Sequence, residues 1–357
     1  MRTPRAATAI LAASVLLVGL STPQPIGISA APTRLDLDSV VEDDAKAAAV
    51  VLIVLDGVRP VDVFQGAEEG RGVPAEQAEA LTPHLHGLMS RGLVLGGPDG
   101  KRPISATGPN FISLPGYTEM LTGAAPRCQY NDCTERPEST LVDAFRSAGA
   151  AHDDVAVITS WPNIGHIAAS AEGLAFVSTG RTHDEPLEGD ASPALHDALE
   201  RGQLAGDELG GEDYRPDENT IELALAYTAA RRPAFLFVSL GDTDEHAHEG
   251  EYAAYLDALR RDDAFIGEMV ARAETWTKDG HPTVVVVTTD HGRAGDFFNH
   301  GRDYPDSAAV WMVAAGPGIV PPEDAEDAEG MASLADVAGM ITRVAGLAPL
   351  AGARLAR

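Results

Sequence analysis

Thr283-Val-Val-Val-Val-Thr-Thr289 runs directly into Asp290-His291-Gly292. So dense a run of β-branched residues is the pattern of a strand buried on both faces of a parallel sheet. Adjacent side chains of a strand point to opposite faces, but where the chain turns at Gly292 an Asp and a His can swing onto one ion. Ligand sites of open α/β sheets lie outside the carboxyl ends of their strands. Read alone, the pair is a strand followed by a polar turn, so its meaning rests on whether the pattern recurs elsewhere.

It recurs three times. Residues 49–55 form another continuous apolar run, ending in Asp56-Gly57. Residues 234–240 form a third and lead into Asp242-Thr-Asp244-Glu-His246-Ala-His248, and His300-Gly301 follows a fourth strand-like segment. Residues 155–159 read as a further buried strand, 174–177 as a weaker one, and 307–315 as the last before Gly316-Pro317-Gly318. Helical spacing falls between them, at 81–92 (with Thr82 as cap and Pro83 in the first turn), 140–148, 220–231, 251–275 and 333–345. Strands alternating with helices predict an α/β fold whose mainly parallel sheet is covered on both faces.

In such a sheet the strand ends share one edge, so Asp56, the 242–248 segment, Asp290, His291 and His300 converge. Three or more Asp against two or more His suit a pair of divalent ions, with the imidazoles favouring Zn²⁺. Asp244 and His248 lie on one face if their segment is helical, but Asp242 and His246 share the same spacing, so spacing does not choose between the pairs. Ser113-Leu-Pro-Gly-Tyr117 reads as a turn opening a helix, either a plain N-cap or a hydroxyl at a helix start where N–H groups face an anion. An ion that holds Ser113 as alkoxide makes a separate base unnecessary.

Composition bounds the setting. The formal charge is −28, and lysine occurs only at Lys46, Lys101 and Lys278. Such a surface repels nucleic acid and anionic membranes. Arg2 and Arg5 precede an apolar run over 6–20 with small residues at Ser29, Ala30 and Ala31, the pattern of a signal peptide over 1–31. That predicts a secreted or periplasmic protein without stable membrane insertion after cleavage. Residues 32–49 read as an acidic leader, 50–357 as one catalytic domain, and 181–219 as a loop-rich insertion, partly helical over 193–201. Cys128 and Cys133 are the only cysteines, and in an oxidising compartment they are expected to form a short-loop disulfide. Oligomeric state is not legible.

From 50 to about 347 the chain resembles the alkaline phosphatase superfamily, which includes nucleotide pyrophosphatase/phosphodiesterases, sulfatases and phosphonoacetate hydrolases. The matching motifs are Leu55-Asp56-Gly57-Val58-Arg59, the helix at 81–92, Ser113-x-Pro-x-Tyr117-x-x-x-Leu-Thr-Gly123, Asp244-x-x-x-His248, Asp290-His291-Gly292 and His300-Gly301. The resemblance implies a three-layer α/β/α sandwich. It implies one ion on Asp56, Asp290, His291 and Ser113, and another on Asp244, His248 and His300, with Zn²⁺ foremost and Mn²⁺ or Mg²⁺ as alternatives. It favours Asp244 and His248 over Asp242 and His246, because the family's histidine also stands just before a glycine. The implied reaction is hydrolysis of a small phosphorylated substrate through a covalent phosphoserine on Ser113. Lys101, Arg102 and Asn110 are candidates for stabilising the phosphoryl oxygens.

Two departures matter. Tyr117 stands where sulfatases need Arg for formylglycine conversion, which argues against sulfatase chemistry. Thr107-Gly108-Pro109-Asn110 mimics the T-x-P-N motif of the phosphodiesterase branch, which keeps Thr107 as a minority nucleophile. The alternatives are a phosphodiesterase or phosphonate hydrolase on the same site, or a non-catalytic exported binding protein on this scaffold.

Overall fold

Val50, Leu52 and Val54 pack into one apolar cluster, while Val51, Ile53 and Leu55 pack into another on the opposite face of the same strand. The period-2 alternation of a strand thus feeds two cores at once, which requires a helical layer on each side. The computed structural model of the chain describes residues 39–42, 46–98, 102–183, 192–206, 209–320 and 330–351. The expected signal segment, part of the leader, Lys101 and most of the acidic loop after Pro321 lie outside the described residues.

In chain order the N-terminal half gives β1 (Ala49–Leu55), α1 (Pro60–Gln65), α2 (Ala78–Leu81), α3 (Pro83–Met89), β2 (Leu93–Leu95), β3 (Ile104–Ser105), α4 (Ser113–Thr122) and α5 (Leu141–Ser147). Next come β4 (Val155–Thr159), β5 (Phe176–Thr179), β6 (Thr182–His183), α6 (Pro193–Leu204), α7 (Asp217–Ala230), β7 (Phe235–Leu240) and α8 (Asp242–His248). The last are α9 (Tyr252–Lys278), β8 (Thr283–Thr288), β9 (Met312–Ala315), β10 (Ala332–Ser333) and α10 (Leu334–Val344). The main sheet runs β2-β9-β8-β1-β7-β4-β5-β6. Its five central strands are parallel, and β9, β2 and β6 pair antiparallel at the edges. One face is covered by α4, α5 and α10, the other by α3, α6, α7 and α9, so the fold is a three-layer α/β/α sandwich.

The strand order decides where the chemistry falls. β8, β1 and β7 are neighbours, with Val50 opposite both Val284 and Phe235. Their carboxyl ends therefore deliver Asp290, Asp56 and α8 to adjacent positions.

Several local expectations are corrected. The expected strand over 307–315 is a 3-10 turn (Pro305–Ala308) followed by β9, because Pro305 sets a helical φ and Ser307 N–H bonds back to Tyr304 O. The weak strand begins at Phe176 rather than 174, after a turn at Gly173 (φ +72°). Thr82 does not cap α3; its hydroxyl donates to Ala78 O, while the Asp263 carboxylate on α9 accepts from His84 N–H and Leu85 N–H at 3.0 and 2.8 Å. A cap delivered from 178 residues away is invisible to a local reading. Within 181–219, α6 extends to Leu204 and buries Leu195, Ala198 and Leu199. Cys128 and Cys133 are bonded, with Cα atoms 6.2 Å apart. Among the described residues no helix is long and apolar enough to cross a membrane.

Candidate metal centre

β1 runs apolar to its last residue and hands over to Asp56, whose N–H still joins the ladder by donating to Leu240 O. The chain then turns at Gly57 in the left-handed region (φ +62°), where an added Cβ would lie 2.3 Å from Asp244 Oδ1. A glycine is required there both by its φ and by that approach. Asp56 is buried, and its Oδ2 accepts from the Tyr117 hydroxyl at 2.9 Å. Tyr117, read from sequence as part of the Ser113 motif and as a departure from sulfatases but given no role, therefore steadies a site carboxylate.

At the end of β8, Asp290 Oδ1 accepts from Gly57 N–H at 3.1 Å, while its Oδ2 has no hydrogen-bond partner among the described residues. His291 is 0 % exposed, and its Nδ1–H donates to Gly292 O at 2.9 Å. That bond leaves Nε2 as the free lone pair. Nε2 lies 3.4 Å from Asp56 Oδ1, 3.5 Å from Asp290 Oδ2 and 3.7 Å from Asp244 Oδ1.

Ser113 is the first residue of α4, not its N-cap; Ile112 holds the cap position in extended conformation. Its Oγ lies 3.5 Å from Asp56 Oδ1 and 3.4 Å from His291 Nε2. The helix reaches in closely because Gly116 has no side chain: a Cβ there would stand 2.3 Å from Asp290 O. The disulfide loop completes the helix start, since Asn131 Oδ1 accepts from Leu114 N–H at 3.0 Å. Neither Asn131 nor this role of the loop was legible in the sequence.

α8 carries the other half. Asp244 Oδ2 lies 3.0 Å from His248 Nε2, which in turn lies 3.0 Å from His300 Nε2. His300 donates from Nδ1 to Phe111 O at 3.0 Å, and its ring stacks on His291 with centroids 4.0 Å apart. Asp242 faces away: its Oδ1 accepts from Tyr214 OH and Asp217 N–H, and its Oδ2 from Arg261. His246 pairs at 3.3 Å with Glu251 instead of joining the cluster. Of the two pairs with equal spacing, the structure brings Asp244 and His248 to the cluster.

The other candidates lie elsewhere. Thr107 donates its hydroxyl to the buried Glu119, so its oxygen is engaged by a structural acid. Asn110 donates from Nδ2 to Gln129 O and accepts at Oδ1 from Arg302 N–H, which spends its amide on tying three loops together. Arg102 sits in the loop between β2 and β3, its carbonyl accepting from Gly96 N–H. Arg293, directly after the Asp-His-Gly motif and 4 % exposed, forms an ion pair with Asp244 that sequence reading missed. An arginine beside acidic ligands in so acidic a chain was the available signal.

Two groups of donors lie within 4.8 Å of one another: Asp56, Asp290 and His291, and Asp244, His291 and His300. Burial, then the charge of Asp244, pushes the Asp56 carboxyl up to about 7. Asp290 is pushed well above the ordinary range by burial and by Asp56. Burial also acts on Asp244, but Arg293 and the hydrogen bond from His248 outweigh it and hold this carboxyl well below the ordinary range. His291 and His300 are pushed down by burial to about 4 and about 3, so both present unprotonated nitrogens. Buried carboxylates that repel one another, an orphaned Asp290 oxygen and neutral imidazoles are together the donor chemistry of a divalent cation site. The residues fit the ions that the resemblance implies.

A mainly parallel sheet thus gathers Asp and His side chains around a helix-borne serine, the donor set of a metal site at the edge of an α/β sheet. Residues 188–349 match the model of the Metalloenzyme superfamily, a segment that carries Asp244, His248, Asp290, His291 and His300. The described residues have a fold similar to that of solved structures of the alkaline phosphatase superfamily. A protein of that superfamily from Vibrio parahaemolyticus aligns over 89 % of this chain and 70 % of its own, at 13 % identity and TM-score 0.53. A 2-O GAG sulfatase aligns over 87 % and 73 % at 16 % identity and TM-score 0.54. The lipoteichoic acid synthase LtaP from Listeria monocytogenes aligns over 88 % and 76 % at 12 % identity and TM-score 0.51. No curated protein matches the chain in sequence.

Proposed function

We propose that the chain is a two-metal hydrolase that cleaves phosphate esters of small molecules through a covalent phosphoserine on Ser113. The observation that carries this reading is the position of Ser113 Oγ, 3.4 Å from the free Nε2 of His291 and 3.5 Å from Asp56 at the first turn of α4. Asp56, Asp290, His291 and Ser113 would hold one ion, and Asp244, His248 and His300 the other. When bound, such ions supply Lewis-acid stabilisation of phosphoryl oxygens and ease loss of the serine proton.

The chain's own residues do the rest. Tyr117 and Gly57 N–H fix Asp56 and Asp290, and Asn131 anchors the start of α4 so that Ser113 stays aimed. Asp56, Asp290 and His291 are buried, whereas His248 is exposed, so substrate approaches from the His248 side. Ser113 Oγ bonds to phosphorus as the ester oxygen departs with the alcohol. Water then displaces Ser113 and releases phosphate, so two in-line displacements retain configuration at phosphorus.

The reading includes export to the periplasm or outside the cell, supported by the basic and apolar N-terminal pattern and by the Cys128–Cys133 bond, which suits an oxidising compartment. Zinc is the ion expected, given the imidazole ligands. The test is a panel of aryl phosphate monoester, diester, phosphonate and sulfate ester, with metal content measured on the purified protein. Greatest turnover of the monoester supports the proposal; preference for the diester or phosphonate moves the activity to the alternative reading. A preparation that turns over none of them with two ions bound would leave a binding protein.

A further inference from the structure

Among the described residues Arg293 is the one strong cation inside the cluster, and each nitrogen of its guanidinium is used. Nε donates to Gly57 O at 3.2 Å, and Nη1 to Phe298 O at 3.0 Å and Phe297 O at 3.4 Å. Nη2 donates to Asp244 O at 3.0 Å and to Asp244 Oδ1. These acceptors belong to three separate pieces of the site: the turn after Asp56, the start of α8, and the loop that leads to His300. A planar fork of donors can span them together, which a lysine ammonium cannot.

The two clusters depend on this residue unequally. Asp56 accepts from Tyr117 OH and Asp290 from Gly57 N–H, so neither carboxylate bonds to Arg293 itself, which reaches this side only through Gly57 O. Asp244 has no such independent anchor: its Oδ1 meets Arg293, and its Oδ2 meets His248, itself a member of the cluster. We propose that Arg293 is the positioning residue of the Asp244–His248–His300 cluster, holding one oxygen of Asp244 so that the other stays turned toward an ion, and that it serves the second ion selectively. This rests on the reading that the clusters hold divalent ions. Gly57 belongs to the same device, because a Cβ there would meet Asp244 Oδ1 at 2.3 Å and Arg293 Nε at 3.0 Å.

The experiment is calorimetric titration of metal-stripped full-length protein with ZnCl₂, with stoichiometry checked by native mass spectrometry. Wild type is expected to bind two ions, and Asp244→Asn identifies which transition belongs to its cluster. Arg293→Met should weaken that transition about 10–100-fold, the usual effect of removing an outer partner of a metal ligand, and leave the other unchanged. Arg293→Lys keeps a charge but replaces the planar fork with one compact ammonium, so a smaller loss confined to the same transition is expected; it carries the test if the Met variant gives no cooperative melt. Unchanged affinities, equal weakening of both ions, or a tighter second ion would each overturn the proposal while leaving the two-ion reading intact. Wild type that binds fewer than two ions overturns that reading itself.

Discussion

Asp242 and Asp244 stand two residues apart on α8 and are both buried, yet they serve opposite neighbourhoods. Asp242 is surrounded by protein donors: Tyr214 OH, Asp217 N–H and Arg261 take both its oxygens. Asp244 instead looks toward Asp56 and Asp290, carboxylates whose burial raises them and one of which leaves an oxygen without a partner. Buried carboxylates are common inside enzymes, so burial alone does not distinguish a site from a strut. What distinguishes these two is which partners they meet: Asp242 spends both oxygens on groups outside the cluster, whereas Asp244 is held by Arg293 and by His248, itself a cluster member, beside an Asp290 oxygen that no described residue satisfies.

The sharpest way to break this contrast is at the nucleophile. Ser113→Ala should lower kcat on an aryl phosphate by on the order of 10³-fold or more, with melting of the ion-free protein unchanged and the ion held by Asp56, Asp290 and His291 still bound, though less tightly. Full activity in that variant would remove Ser113 from the chemistry. Next come the two aspartates themselves. Asp244→Asn should cut activity by on the order of 10²-fold and weaken one ion while the ion-free fold survives. Asp242→Asn should cost roughly 1–3 kcal/mol of stability in urea melts while the folded fraction keeps its turnover. Swapped phenotypes would show that the two roles have been assigned the wrong way round.

The pH dependence of stability sharpens the contrast further. The Asp56 carboxyl stands at about 7 in the fold against an ordinary 3.8, so its contribution to stability is full below about 4 and is lost as pH rises to about 7. Metal-stripped protein should therefore lose melting temperature across that window. Saturating Zn²⁺ should flatten the slope, since a bound cation stabilises the carboxylate. An identical slope with and without zinc would count against an ion at Asp56. Smallest of all, His246→Ala should alter stability by about 0.5 kcal/mol or less and leave activity near wild type, unlike His248→Ala.

Much of this was legible because the sheet's core strands announce themselves. β1, β4 and β8 are continuous apolar runs, and their ends place Asp56 and Asp290 with little ambiguity. β2, β3, β6 and β10 have two or three residues each, too few for any period to register. The choice between Asp242 and Asp244 was open by spacing, because i and i+4 identify one face of a helix but not which face meets the sheet edge. Asn131, Tyr117 and Arg293 act through contacts 17, 61 and 49 residues away in sequence, and such partners are set by the fold rather than by any motif.

The pairing of β1 also has a consequence for the order of events in the cell. Its partners are β7 and β8, and Gly57 meets Asp290 at a sequence separation of 233. Parallel pairings of such long sequence separation form slowly, because loop closure precedes any gain from contact. A nascent chain leaving the ribosome holds Asp56 long before it holds Asp290 or His300, so neither cluster exists until the residues after β8 have been made. Any ion these clusters take would therefore meet a sheet already closed, in whichever compartment that closure takes place.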